Sequence, residues 1–255
     1  MLEYLVIFLV CGLFGVFSSL LGIGGGLLIT PFLTLVFKIP IHQAIATSLI
    51  AIIATSSASA TVYVQQKLAD IKLGITLELA TVSGAIIGGF LAGLIGPDAL
   101  EILFALVLVY VSIWMLRKNN PTENSQHTYQ AKKYPLGFLI SFVAGNLSGL
   151  LGIGGGPIKV PAMYLIMRVP LKVASATSNF MLGVTASASC FLYYFRGEVN
   201  LPVSGVAVLG AFLGASWGSH LMFSVKTDLI RKLFVGFLLL LALSMFLKGI
   251  NLNIY

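Results

Sequence analysis

Leu20-Leu21-Gly22-Ile23-Gly24-Gly25-Gly26 recurs as Leu150-Leu151-Gly152-Ile153-Gly154-Gly155-Gly156. The copies stand 130 residues apart, Gly22 against Gly152, and the register extends outward without gaps from about Gly15 to Trp114. Pro31 and Pro40 match Pro161 and Pro170; Ala44, Ala46, Thr47 and Ser48 match Ala174, Ala176, Thr177 and Ser178. Thr55, Ser57 and Ser59 fall on Thr185, Ser187 and Ser189, and Tyr63 on Tyr193. Gly84, Gly88 and Asp98 fall on Gly214, Gly218 and Asp228. A match held at one offset over so much chain identifies a tandem duplication.

The motif sits in apolar surroundings. Of 255 residues 58% are hydrophobic and 9% charged, against roughly 25% charged in an average soluble domain; mean hydropathy is +1.02. A water-soluble globule is excluded. The apolar stretches run past the ~20 residues that cross a bilayer as helix, and they lack the two-residue alternation of a membrane barrel. The expected fold class is all-α, a polytopic integral membrane protein with the lipid bilayer as its surroundings. Lys and Arg number 15 against 8 Asp and Glu. They are scattered singly between apolar segments instead of forming a patch, so no nucleic-acid partner is expected. Cys11 and Cys190 lie in apolar segments, share no metal-ligand spacing and do not correspond between the copies. Both read as packing residues, and neither metal nor cofactor is expected. The first residues carry Glu3, no basic start and no small-residue cleavage site, which reads against a cleaved signal peptide.

No charged side chain occurs between Tyr4 and Phe37, and only Lys159 between Tyr134 and Met167. Such a stretch exceeds one ~20-residue span and falls short of two with a turn, and the glycines interrupt it where helix propensity is lost. Each copy is expected to open with a broken, re-entrant helical hairpin. Its second limb, Leu27 to Phe37 in the first copy, would be only ~16 Å long and end partway through the hydrocarbon. The other spans read as Ala44–Val64, Leu73–Ile95 and Ala99–Leu116, repeated as Val173–Phe195, Val203–Val225 and Leu229–Leu247. That division makes 1–117 the first transmembrane repeat, 118–134 a polar linker and 135–255 the second repeat. Each copy crosses an odd number of times, so the repeats have inverted topology.

Charge gives the orientation. Lys67, Lys72, Arg117, Lys118, Lys132, Lys133, Arg168, Lys172, Lys226, Arg231 and Lys232 collect on one side, and only Lys38, Arg196 and Lys248 on the other. The positive-inside rule then makes the linker cytoplasmic and both termini external. Inverted-topology repeats with broken helices are a transporter signature.

The glycine runs are the first candidates for chemistry. The N–H groups of Gly24, Gly25 and Gly26, and of Gly154, Gly155 and Gly156, can form anion nests, and each following half-helix adds partial positive charge at its start. Pro157 suits the first position of the second half-helix. The bland alternative is close helix packing, which Gly84-x-x-x-Gly88 and Gly214-x-x-x-Gly218 suggest elsewhere. Ser48, Thr55 and Ser59 share one helix face, and Ser178, Thr185 and Ser189 repeat it, with Asn179 added. These hydroxyls face a polar path or bond the carbonyl four residues back. Lys159 stands one turn into a half-helix, where the dipole disfavours a cation unless an anion or carboxylate is near; its long stem could instead snorkel to an interface. Glu78 and His220 are the other ionisable residues within spans; either could relay a proton, but Glu78 stands only a turn or two from the cytoplasmic end, and both read as structural. No Ser-His-Asp set, carboxylate pair or metal cluster is evident, which argues against an enzyme.

With LLGIGGG near the start of each half, a proline nine residues after its first glycine, and A-x-A-T-S beyond, the chain resembles the TauE/SafE sulfite exporter family. That family is grouped with toluenesulfonate-type sulfonate carriers, and the likeness covers nearly the full length. The resemblance implies a cell inner-membrane carrier of small sulfur-containing oxyanions such as sulfite, sulfoacetate or other organosulfonates, driven by an ion gradient. Joined to the residue reading, it places a small anionic substrate near the midplane between Gly24, Gly25, Gly26, Gly154, Gly155 and Gly156. Thr47, Ser48, Thr177, Ser178, Asn179 and Lys159 would stand nearby. An anion channel or a carrier of another small metabolite is the alternative. The coupling ion, H+ or Na+, and a homo-oligomeric state stay open.

Overall fold

The computed structural model describes residues 2–116, 129–221 and 228–250, with side chains in the last of these described from Val235 onward. The first copy folds as α1 (Leu2–Leu21), α2 (Gly26–Val36), α3 (Ile41–Gln65), α4 (Ile71–Ala92) and α5 (Pro97–Leu116). The second folds as α6 (Tyr134–Leu151), α7 (Gly156–Pro161) continued by a π-helical turn (Ala162–Ile166), α8 (Leu171–Phe195), α9 (Leu201–Leu221) and α10 (Asp228–Gly249). The bounds of α3 and α8 differ by the same 130 residues as the glycine motifs.

Local chemistry accounts for the starts and stops. Pro40 and Pro170 sit in extended conformation just ahead of α3 and α8, so these helices begin at Ile41 and Leu171, earlier than hydropathy suggested. Asp70 caps α4 by accepting from Leu73 N at 2.9 Å, and Asn200 does the same for α9 from Val203 N at 3.3 Å. The second half-helix starts at Gly156, with Pro157 in its first turn. It ends in a π register in which Met167 N donates to the Ala162 carbonyl five residues back, which the hydrophobic pattern did not announce. Arg117, Lys118, Lys226 and residues 118–128 of the expected linker lie outside the described residues, as do the side chains of Arg231 and Lys232.

The two copies interleave. α1 packs along α9 and α6 along α4, each pair taking one helix from each copy; α3 and α8 meet at the centre, and α5 packs on α10. Glycines bring the outer pairs close: a Cβ on Gly88 would stand 1.9 Å from the Asn146 carbonyl oxygen, and one on Gly214 1.9 Å from that of Gly12. Exposure is inverted relative to a soluble protein. Leu79 and Trp217 are each 70% exposed, whereas the polar side chains of α3 and α8, from Thr47 to Ser59 and from Ser175 to Ser189, are mostly buried. That pattern suits a hydrocarbon solvent outside and a polar centre within. Among the described residues, α1, α3, α4, α5, α6 and α9 are long and apolar enough to cross a bilayer. α8 matches α3 in length at 25 residues, and its buried hydroxyls and amide make it less apolar.

Contacts sort the helix ends into two groups. At one end His42 Nε2 lies 3.0 Å from the Ala92 carbonyl, Arg196 donates to the Gly89 carbonyl at 2.7 Å, and Lys248 pairs with Glu101 at 3.0 Å. At the other end Asp70 N donates to Thr177 Oγ1 at 2.9 Å, and Lys132 N to the Met167 carbonyl at 3.0 Å. The latter bond ties the start of α6 to the end of the limb that returns from its break. Tyr129, ahead of α6, donates its hydroxyl to Asp70 Oδ2 at the same end; burial and that carboxylate hold the phenol well above its ordinary pKa.

Candidate functional site

The two helix breaks meet in the middle of the molecule, and every residue from Gly22 to Gly26 and from Gly152 to Gly156 is buried. Gly24 and Gly154 take φ of +79° and +75°, a left-handed backbone that lets α1 and α6 stop and the chain turn into the half-helices. The breaks are close in structure but not identical: Gly155 has φ of +75°, while Gly25 is right-handed at −59°. Neither half-helix has a side-chain cap, so α2 and α7 both begin buried with first-turn N–H groups not covered by any side chain.

Each tip is latched to a central helix of the other copy. Ser48 on α3 donates to the Gly152 carbonyl at 2.7 Å, and its counterpart Ser178 on α8 donates to the Gly22 carbonyl at 3.0 Å. A Cβ on Gly26 would meet the Gly152 oxygen at 2.0 Å, and one on Gly156 the Gly22 oxygen at 2.5 Å. Only glycine permits this approach. Below the latches Tyr63 donates to the Ser19 carbonyl and Tyr193 to the Gly149 carbonyl, both at 2.8 Å. These tyrosines satisfy carbonyls left open where α1 and α6 end.

The other expected site residues are placed as follows. Thr47 Oγ1 lies 3.0 Å from Ser204 Oγ, and Thr177 accepts from Asp70 N, so both face α9 or α4 ends and lie away from the tips. Asn179 Nδ2 donates to the Ser19 and Ser175 carbonyls, each at 3.2 Å. Thr55 and Ser59 bond back to carbonyls of their own helix. Ser189 reaches the Ala85 carbonyl at 3.2 Å. Ser18 and Ser148, equivalent residues in the last turns of α1 and α6, are buried with no partner for their hydroxyls; sequence reading had passed over both.

Lys159 is 1% exposed. Its Nζ donates to Thr185 Oγ1 at 3.2 Å and stands 3.9 Å from Glu78 Oε2. Thr185 in turn donates to Glu78 Oε1 at 2.6 Å, while Oε2 accepts no hydrogen bond. The carboxylate that a buried cation at a half-helix start requires thus comes from α4 of the other copy. The sequence marks Glu78 as an ionisable residue inside an apolar span, open to a proton-relay or a structural role; its pairing with Lys159 comes only from the packing of α4 and α7 on α8. His220 is exposed at the end of α9, far along that helix from the equivalent of Glu78.

Comparison with known proteins gives the family. The family model described as sulfite exporter TauE/SafE matches residues 7–245. The probable membrane transporter protein YunE of Bacillus subtilis is 31% identical, over 96% of this chain and 98% of its own. A probable membrane transporter protein of Haemophilus influenzae is 30% identical over the same shares, 96% and 98%. One from Xylella fastidiosa is 28% identical over 88% of this chain and 87% of its own. No solved structure matches the chain. The duplicated glycine breaks, the lipid-facing exterior and a match over nearly the whole length place this chain in the TauE/SafE sulfite exporter family, as a multi-pass membrane transporter and not an enzyme.

Proposed function

We propose that the protein is a secondary transporter of small sulfur-containing oxyanions, sulfite or an organosulfonate, and that the anion binds where the two helix breaks meet. The observation that carries this reading is the pair of buried, uncapped half-helix starts at Gly25–Gly26 and Gly155–Gly156. Two positive helix ends and several N–H and O–H donors suit an oxyanion with lone pairs on every oxygen. Lys159 adds a full positive charge one turn along α7. In the closed packing Ser48 and Ser178 donate to the opposite tip's carbonyls; separation of the tips would turn both hydroxyls toward the gap. Movement of the tips and their α3 and α8 supports against the outer helix pairs would then expose the gap to each side in turn. Family membership supports an inner-membrane location, and the positive-inside rule supports a cytoplasmic linker with both termini outside.

The test is labelled-sulfite counterflow in proteoliposomes, with unlabelled sulfite, sulfoacetate, sulfate or chloride inside. Gly25→Ala is the clean variant. Gly25 is right-handed, and its Cβ would touch only side chains, the nearest being Ile29 Cδ1 at 3.3 Å, so the fold tolerates the methyl group. Glycine and alanine both keep the backbone N–H, but the methyl group takes space an anion needs to approach the tip, so exchange should fall about tenfold, the equivalent of one weakened charge-assisted contact. Wild-type exchange by the folded variant would remove the tips from the site.

A further inference from the structure

The duplicated fold contains its own control for the Lys159 cluster. At the equivalent positions of the other half stand Ile29 for Lys159, Thr55 for Thr185 and Val208 for Glu78. Ile29 is fully buried, and Thr55 bonds back to the Ile52 carbonyl of its own helix at 3.1 Å. The same hairpin, half-helix and flanking helices therefore pack with aliphatic residues at the two positions where the second site has an ion pair. Two charges taken out of water need near-ideal geometry to offset lost hydration, and apolar residues of similar volume usually hold such a place as well. Here the geometry is loose: the nitrogen and oxygen are 3.9 Å apart, and Glu78 Oε2 accepts no hydrogen bond. Packing does not call for this pair.

We infer that Glu78 is the proton-coupling residue of the transporter. One proton on its carboxylate releases Lys159 to hold the substrate oxyanion, so that proton and anion cross together. This rests on the oxyanion reading of the central site. The ammonium can neutralise one anion at close range; while Glu78 is ionised, that anion is Glu78. With Glu78 a neutral acid, the attraction passes to the substrate, and binding of the two ligands is mutually reinforcing. The proton comes from water on the side to which the gap is open, forms one O–H bond on the carboxylate, and leaves to water on the other side. Sodium does not suit the place, because the ammonium already stands beside the carboxylate.

The elements packed on α4 are α6 and α8. Their titratable groups are Tyr134 on α6 and Lys172, Cys190, Tyr193 and Tyr194 on α8; His42 and Arg196 meet α4 only near its end, at Ala92 and Gly89, and Tyr129 only at its cap, Asp70. Tyr134, Lys172 and Tyr194 are exposed, as is Lys72 on α4 itself. Cys190 is half-buried, and Tyr193 is engaged with the Gly149 carbonyl under Arg196. The charge that faces Glu78 is Lys159.

The experiment uses proteoliposomes with labelled sulfite and the membrane potential clamped at zero. An acid-outside gradient should raise wild-type accumulation about tenfold per pH unit over that of Glu78→Gln, the ratio set by one co-transported proton. Glu78→Gln should keep only the pH dependence that sulfite's own protonation imposes, and Glu78→Asp should regain the gradient response. Sulfite changes its own protonation near neutral pH equally for all three proteins, so their comparison isolates residue 78. A pH-sensitive dye inside the vesicles should record one proton entering with each anion in the wild type, a readout independent of how the variants fold. Equal gradient responses in wild type and folded Glu78→Gln, or no dye signal during wild-type uptake beyond that of protein-free controls, would overturn the coupling alone. Failure of sealed wild-type vesicles to exchange sulfite, sulfoacetate and sulfate would overturn the oxyanion reading and the coupling with it.

Discussion

Ser48 and Ser178 each donate their one hydroxyl proton across the molecule, to a carbonyl of the opposite hairpin. A buried bond of this kind contributes about 1 kcal/mol, and truncation also leaves a carbonyl unpaired, so Ser48→Ala or Ser178→Ala should each lower stability by about 1–2 kcal/mol. The two acceptor carbonyls belong to tips packed directly on one another, so the double variant should depart from the sum of the singles. Thermal unfolding in detergent checks this; unchanged midpoints would mean that the latches contribute nothing. The spacing of these serines was legible in the sequence as one helix face. Their acceptors were not, because a carbonyl more than a hundred residues away is brought near only by packing. Glu78 illustrates the same limit: its position two turns into α4 says nothing about the ammonium that α7 carries to it.

At the scale of elements, the close helix pairs α1 with α9 and α4 with α6 depend on glycine at the crossing points. Gly88→Val puts a branched side chain against the Asn146 backbone, which cannot yield, and should cost ~3 kcal/mol or more. Gly205→Ala, within α9 and with nothing within 4 Å of the added carbon, should leave stability unchanged or raise it by up to about 1 kcal/mol. Unfolding midpoints of the two variants that moved together would refute the close-packing account. The small-residue spacing identified these faces in advance, but not which helix each one meets. Helix starts were misplaced by two or three residues at Ile41 and Leu171, since hydropathy marks where apolar side chains begin and backbone caps mark where the helix does. The π turn after Pro161 has no counterpart after Pro31, although both copies have the proline; sequence similarity alone gave no sign of that difference.

For the molecule as a whole, interleaving has a direct consequence. α1 lies on α9 and α6 on α4, so either half alone exposes glycine faces that only the other half covers. Chains 1–125 and 126–255 made together should co-purify and exchange sulfite, while either made alone should be degraded; independent stability of one half would contradict the packing. Orientation has its own test. Ser125→Cys should react with an impermeant thiol reagent from the cytoplasmic side and Glu198→Cys from outside, in keeping with the distribution of Lys and Arg. The reverse pattern would invert the proposed topology.

Composition and repetition are properties of the chain itself, so the sequence alone determined the membrane class, the duplication and the pair of helix breaks. Hydrophobic excess decides the solvent, a constant offset decides the repeat, and glycine runs decide where helices fail. Tertiary structure decided what those features do to one another. It brought Gly26 of one copy against Gly152 of the other, and it placed Lys159 beside Glu78. Those distances depend on how the two copies interleave, and interleaving is set by side-chain packing between helices far apart in sequence, which no local pattern encodes.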